Sequence, residues 1–406
     1  MKRREPQLAA CAYFWSDLLN SFIFGHGPQQ INLLDVYQLT GLDITTSVNP
    51  CGMKFEPSHR FKPAKELQGW GSYIEEYSKE KGPVNEREHT AFLNMWLDRF
   101  FFCGNSLSPS SNYQYMAEGL AQGKKYPLGR FLLGAVYDMM HKAAEKLRRN
   151  ESAKNVNGPW WFVQLWLNTY FCKLIRLPSL KKIRCVSVEG VIPDAEVQDG
   201  TRRCRSFGEA MSTVKGVINS KAQLADWFEV FYRGMASEKI LWCPYRQEHE
   251  FEHPYKLDFE APLADDISKA IFTAAISPCV LPTGVSGARG TKISYEFYHP
   301  CIAARQFGLG QLPPRFTYIG QLKPRCELRS GIEWIAVARI GQEVPLGVVS
   351  SLVINLACSI SAAKWWAAWK PHLFPTGLLP ILRVINPDHE EIEEVALTPF
   401  SFSILQ

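Results

Sequence analysis

Cys243, His249 and His253 stand at a C-x5-H-x3-H spacing. Two histidines four residues apart meet on one face of a helix, an arrangement that binds zinc. The set lacks a clear fourth ligand, and Glu248, Glu250 and Glu252 alternate with the histidines as an ordinary polar surface does. A second constellation, Gly284, Gly287 and Gly290 before Thr291 and Lys292, has the glycines of a phosphate loop. Its Thr precedes its Lys, against the G-x4-G-K-[ST] order, and a strand-like run follows it in place of a helix N-terminus. Ser361 and Lys364 form S-x-x-K, the nucleophile and base of some acyl-transfer enzymes, without the S-D-N or K-T-G companions of that chemistry. Pyridoxal chemistry needs a Schiff-base lysine and a phosphate cup, normally on a scaffold of alternating strands and helices, and that alternation is missing. The residues therefore converge on no acid, base and nucleophile set. A non-enzyme without cofactor is the expectation.

Positioning such groups falls to elements that read as helices. Tyr13, Phe14, Leu18 and Phe22 recur at three- and four-residue spacing, which predicts an amphipathic helix over Leu8 to Phe24, stopped by Gly25. After a turn at Gly25, His26, Gly27 and Pro28, Asn32 can cap a second helix that carries Asp35 and ends at Gly41. The chain thus reads as opening on a helical hairpin. Further helices are predicted over Asn85 to Cys103, with an apolar stripe of Phe92, Trp96, Leu97, Phe100 and Phe101, over Leu128 to Arg149 behind Pro127, and from Trp160 to Phe171. Lys221 to Arg233 and Leu263 to Ile276 complete the set, and Lys292 to Phe297 reads as a short strand. Val344 to Ala363, about twenty residues without a charge, holds Pro345, Asn355 and several serines, so a buried core helix is expected over a membrane span. Near the end of this order, Pro300 opens a short helix containing Arg305, Gln306 and Phe307 that Gly308 stops. Arg305 is expected to cap carbonyls or to hold a carboxylate inside the fold.

Composition supports a folded body: apolar residues make up 46% and charged residues 21% of 406, far from a disordered balance. A formal charge of +5 is small for this length, short of the signature of a dedicated nucleic-acid binder. Two basic regions keep nucleic acid as the alternative partner class. They are the helix end Lys142 to Arg149 and the charge blocks around Lys181 to Arg205. Eleven cysteines, an odd number with no C-x-x-C pair, and an N-terminus that does not read as a signal peptide point to reduced thiols inside the cell. The fold class expected is mainly α, a single large helical body over 1–406 with irregular insertions at 45–82 and 178–205 and at most a few short strands.

Six blocks, taken in order, carry a resemblance. They are F-G-H-G-P at Phe24 to Pro28, L-x-D-V-x-x-L-T-G-L at Leu33 to Leu42, N-M-W-L-x-R-F-F-F at Asn94 to Phe102, L-G-R-x-L-L-G at Leu128 to Gly134, G-P-W-W-x-x-Q-L-W at Gly158 to Trp166, and R-Q-F-G-L at Arg305 to Leu309. Together they resemble the plant mobile domain family, a transposon-associated plant domain often described as aminotransferase-like. The resemblance implies a mostly helical nuclear module acting in transposon silencing, gene expression and meristem maintenance. It also implies a protein partner, with a phosphoprotein-phosphatase-class protein as one candidate. The chain opens almost directly at the helix before Phe24, which by the same resemblance leaves two readings open, a functional host gene or a partial, element-derived copy. The landmark residues are Gly25, His26, Gly27, Pro28, Asp35, Gly41, Trp96, Arg99, Gly129, Trp160, Trp161, Gln164, Trp166, Arg305, Gln306, Phe307 and Gly308. Packing is the task expected of them.

Overall fold

Local chemistry decides several element ends before any packing does. The computed structural model describes residues 5–46, 58–59, 61, 66–67, 69–78, 82–104, 110, 112–149, 151, 153–174, 184–186, 201–203, 207–212, 221–247, 257–258, 265–283, 295–314 and 357–373. Within them, α1 (Glu5–Tyr13) leads into β1 (Trp15–Ser16), β2 (Ser21–Phe24) and β3 (Gly27–Gln29), and α2 (Leu33–Thr40) follows. The Asn32 side chain accepts from the backbone N–H of Asp35 while Asp35 accepts from the Asn32 N–H, a reciprocal capping box, and Gly41 closes the helix in the left-handed region at φ 70°. The sequence names both ends correctly because both are set within a few residues.

The predicted helix over Leu8 to Phe24 is shorter than expected, and the opening hairpin is not helical. Residues 15–29 form a three-stranded antiparallel sheet in the order β1-β2-β3, pairing Trp15 with Phe22 and Phe24 with Gly27. Ser-Phe-Ile-Phe is an aromatic and β-branched run that suits a pleated surface. Phe22 and Phe24 share one face of β2, stacked at 5.4 Å between ring centroids. Their spacing also fits a helix, so periodicity alone does not separate the two states.

Farther along come α3 (Trp70–Tyr77), α4 (Glu86–Met95), a π-helical turn (Trp96–Phe101), α5 (Gln114–Ala121), α6 (Leu128–Arg148) and α7 (Trp160–Tyr170). α3 falls where the sequence shows no sustained period. Its Tyr73 and Tyr77 nevertheless bury with Leu67 and Ala91 in a satellite cluster. The predicted stripe on α4 is only partly buried: Leu97 and Phe101 are buried, but Phe92 and Phe100 stand 54% and 58% exposed. Thr90, Ala91, Asn94, Leu97, Asp98 and Phe101 keep one helical period through the π turn, so the buried face lies to one side of the predicted stripe.

The remaining elements are β4 (Arg184–Val186), β5 (Thr201–Arg203), α8 (Phe207–Ser212), α9 (Lys221–Arg233), α10 (Asp266–Ile276), β6 (Cys279–Pro282), β7 (Tyr295–Tyr298), a 3-10 helix (Pro300–Phe307) and α11 (Ile360–Leu373). β4 pairs with β5, and β6 with β7, each as an antiparallel pair. The described residues are mainly α with three small sheets. Of the predicted core helix over Val344 to Ala363, 344–356 lie outside the described residues. Residues 357–359 are not helical, and α11 begins only at Ile360, where the Ser359 hydroxyl accepts from the Ala362 N–H. No helix among the described residues is long and apolar enough to cross a membrane.

α1 packs on α9 and α6, and α2 packs against α6, α7, α8 and α10. One apolar cluster runs from Leu8 to Trp366, with Phe14, Phe22, Phe24, Tyr137, Phe162, Trp166, Tyr170 and Phe171 almost wholly buried. α7 is hydrophobic nearly all round, as a helix enclosed by neighbours must be.

Candidate functional site

The aromatic interior is built around one carboxylate. Asp35 projects from the first turn of α2 and is fully buried. Its Oδ1 accepts from the hydroxyls of Tyr170 and Tyr245, each at 2.8 Å. Its Oδ2 accepts from the Trp166 indole N–H at 3.1 Å and from the Asn32 N–H at 2.8 Å. Burial pushes the Asp35 pKa up to about 7, against these four hydrogen bonds, which pull it down. The same burial raises the phenols of Tyr170 and Tyr245 well above their ordinary range, and the neighbouring Asp35 charge adds to it. Trp166 and Tyr170 lie one turn apart on α7, which aims both donors at the same point.

Around this centre polar groups of residues 20–33 and 296–306 close on one another. Gln306 accepts from the Gln30 N–H at 2.7 Å and donates to the Gln30 carbonyl at 2.8 Å, so a side chain completes the backbone pairing that β3 leaves open. The Tyr298 hydroxyl accepts from the Leu33 N–H at 3.2 Å and donates to the Ala275 carbonyl at 2.6 Å, joining the start of α2 to α10. Tyr137 donates to the Ile31 carbonyl, and Asn20 donates to the Phe297 carbonyl and to Glu296. The Gln30 Oε1 and the Asn32 Nδ2 in this region are buried without a hydrogen-bond partner, so the network is not wholly satisfied.

A second cluster sits at the turn between β2 and β3. Gly25 donates to the Phe231 carbonyl at 2.7 Å, and a Cβ there would stand 2.2 Å from the Tyr232 carbonyl oxygen, so no larger residue fits between the hairpin and the end of α9. His26 stacks on Phe24 and meets the edges of Phe171 and Trp242. Arg305 lies flat on the Trp242 ring, its Cζ 3.6 Å from the centroid. A Cβ on Gly27, whose φ is +127°, would come 2.6 Å from the Arg305 Nη2. The expected carbonyl cap or internal carboxylate for Arg305 is not what the fold provides. The guanidinium is taken up by an aromatic face, and no hydrogen bond or ion pair joins it to another described residue.

The landmarks thus divide. Asp35, Trp166 and Gln306 meet in the core, and His26, Gly27 and Arg305 meet at the hairpin, with Pro28 in β3. Trp160 donates to the Val156 carbonyl, Trp161 to the Phe101 carbonyl, and Gln164 to Gln7 and Asn168. Gly129 lets α6 touch Ile44 and the Asp43 carbonyl, Gly308 is a left-handed cap, and Phe307 is buried. Trp96 packs on Phe101, and Arg99 is exposed beside it, apart from both clusters. Sequence reasoning did not single out Tyr245, Trp242, Tyr298 or Gln30 as partners. The only local signal was the four-residue spacing of Trp166 and Tyr170.

Of the metal candidates, Cys243 is partly buried in the segment beside Trp242, whereas His249 and His253 lie outside the described residues. No group of metal-ligating side chains forms among the described residues. The glycine loop at 284–290, with Thr291 and Lys292, also lies outside them, and Ser361 and Lys364 are exposed on the first turns of α11. On the basic end of α6, Lys142 pairs with Asp138, Arg149 with Glu145, and Arg148 with Asp17. Lys146, on the same helix end, makes no ion pair with a described residue. The charge blocks at 178–205 are described only in β4 and β5.

No curated protein and no solved structure matches the chain. Four of the six blocks that carry the resemblance, those holding His26, Asp35, Trp166 and Arg305, supply these two clusters, and the family model described as Plant mobile domain matches residues 2–330 of the 406, so the protein belongs to the plant mobile domain family.

Proposed function

We propose that this transposon-related plant domain works as a non-catalytic interaction module in the nucleus, serving transposon silencing, gene expression and meristem maintenance through a protein partner. The observation that carries the reading is the saturation of Asp35. The one carboxylate held at the centre of the family motifs has both oxygens occupied by four donors of the same fold. A general base must reach a substrate proton, and this carboxylate is spent on fixing α2, α7 and the Tyr245 segment. The motifs then specify a scaffold, and recognition is left to its surface. Pairing of Lys142, Arg148 and Arg149, three of the four cations at the end of α6, favours protein over nucleic acid as the partner, since a phosphate-binding helix end keeps its cations for the ligand.

The test is capture from plant nuclear extract with the folded chain, followed by reconstitution from purified components. Retention of a defined protein, with a phosphoprotein-phosphatase-class protein as the first candidate, is the expected result. A well-folded chain that retains nothing above a scrambled-surface control, or one that turns over an amino acid with pyridoxal phosphate, overturns it.

A further inference from the structure

We propose that Arg305, stacked on Trp242 at the β2–β3 hairpin, is the binding site for a carboxylate presented by a partner protein. A guanidinium carries five N–H donors in one plane. Stacking satisfies its face by cation–π attraction, but the N–H donors in its plane still call for acceptors. Here the Nε is buried, and neither it nor the rest of the group bonds an acceptor among the described residues. Removing a cation from water without a counter-charge is costly. That cost is visible in the Arg305 pKa, which burial lowers to about 10, so the group remains charged at neutral pH.

Three features make this a built position and not a stray side chain. Gly27 leaves the space in which the guanidinium lies, since a Cβ there would collide with Nη2. Trp242 fixes the plane of the fork, and His26 stands edge-on to the same indole at 5.8 Å. Backbone on the far side is locked, because the adjacent Gln306 is clamped to Gln30. With Nε enclosed, the Nη1–Nη2 end is the part of the fork left at this partly exposed position, and it matches a planar carboxylate, which it grips through two parallel hydrogen bonds. A phosphate dianion calls for more positive charge than one guanidinium supplies. An acidic side chain on a partner is therefore the ligand that the chemistry selects.

This site deepens the interaction-module reading and rests on it for the source of the carboxylate. The experiment follows the arginine Nε–H signals of the whole chain by 15N NMR, with Arg305→Lys used to identify the Arg305 signal. The probes are a blocked Glu-rich peptide, its Gln counterpart, sodium succinate and inorganic phosphate. The Glu peptide should shift the Arg305 signal and the Gln peptide should not. Arg305→Lys, which keeps the charge but loses the fork, should bind the Glu peptide about tenfold more weakly. Absence of a shift with the Glu peptide overturns the site, and a shift with phosphate alone overturns the carboxylate assignment. Equal affinity for succinate and the peptide overturns the protein source. Should Arg305→Lys fail to fold, the contrast between Glu and Gln peptides on the unaltered chain still decides. A nuclear partner held equally by both chains would overturn this site and leave the interaction module standing.

Discussion

Replacing Asp35 by Asn and by Ala separates the two forces that meet at the buried carboxylate. Burial raises its pKa from 3.8 to about 7. A carboxyl with a raised folded-state value contributes stability that is fully present below about pH 4 and is lost as pH climbs through about 7. Each pKa unit is worth about 1.36 kcal/mol, so the unaltered chain should lose roughly 4 kcal/mol relative to Asp35→Asn between about pH 4 and pH 8. Asn can keep one oxygen toward Trp166 and the Asn32 N–H. Its amide then faces Tyr170 and Tyr245, whose hydroxyls can turn and accept. Ala offers no acceptor, and the indole and backbone N–H groups cannot turn. At about pH 5, Asp35→Ala should therefore cost about 2–6 kcal/mol, from two orphaned donors at ~1–3 kcal/mol each. Urea unfolding of the three proteins across this pH range, followed by far-UV circular dichroism, reads both effects. Subtracting the Asn variant removes the contribution of every other titrating group. A difference that stays flat, or that moves in favour of the unaltered chain as pH rises, would refute the reasoning, because the four donors would then outweigh burial.

Gln306→Ala should lower stability by about 2–4 kcal/mol in the same urea assay, since it strands both backbone groups of Gln30. Gln306→Glu should also be harmful, because a carboxylate cannot donate to the Gln30 carbonyl; a silent Glu variant would show that this donor bond contributes little. Gly25→Ala places a methyl 2.2 Å from the Tyr232 carbonyl and should cost about 2–4 kcal/mol. Gly71→Ala in α3, with nothing within 4 Å of the new methyl, should instead stabilise by up to ~1 kcal/mol. Matching thermal shifts for these two glycines would contradict the packing argument.

What could be read from the chain depended on the range over which each feature is decided. The start and stop of α2 are legible because Asn32, Asp35 and Gly41 settle them locally, and α6 is legible from Pro127 and its periodic apolar face. The β1–β3 sheet was hidden because Phe14, Phe22 and their neighbours satisfy a helical period while their actual partners, such as Phe231 and Trp166, lie far along the chain. Phe92 and Phe100 misled because their apolar spacing marks one helix face, while the face that is buried takes in the polar Thr90, Asn94 and Asp98. Asp35 could be named as a landmark, but not as the acceptor of Tyr245, which stands 210 positions away. Arg305 likewise read as a cation awaiting a carbonyl, and only the fold brings Trp242 beneath it.

The clamp between Gln306 and Gln30 has a consequence for how the chain comes into being. The two residues are separated by 276 positions, and Tyr298 reaches back 265 to Leu33. The first hairpin and the first turn of α2 therefore emerge from the ribosome with backbone groups that stay unpaired until almost the last family block has been made. Contacts closing so long a loop form late and slowly. A copy cut short before Tyr298 would keep most of its helices and lack the parts that complete its opening strands. That spreads the folding requirement from the first hairpin to Gln306: a fragment ending earlier would betray itself by exposed, unfinished β-edges and be cleared as unfolded protein.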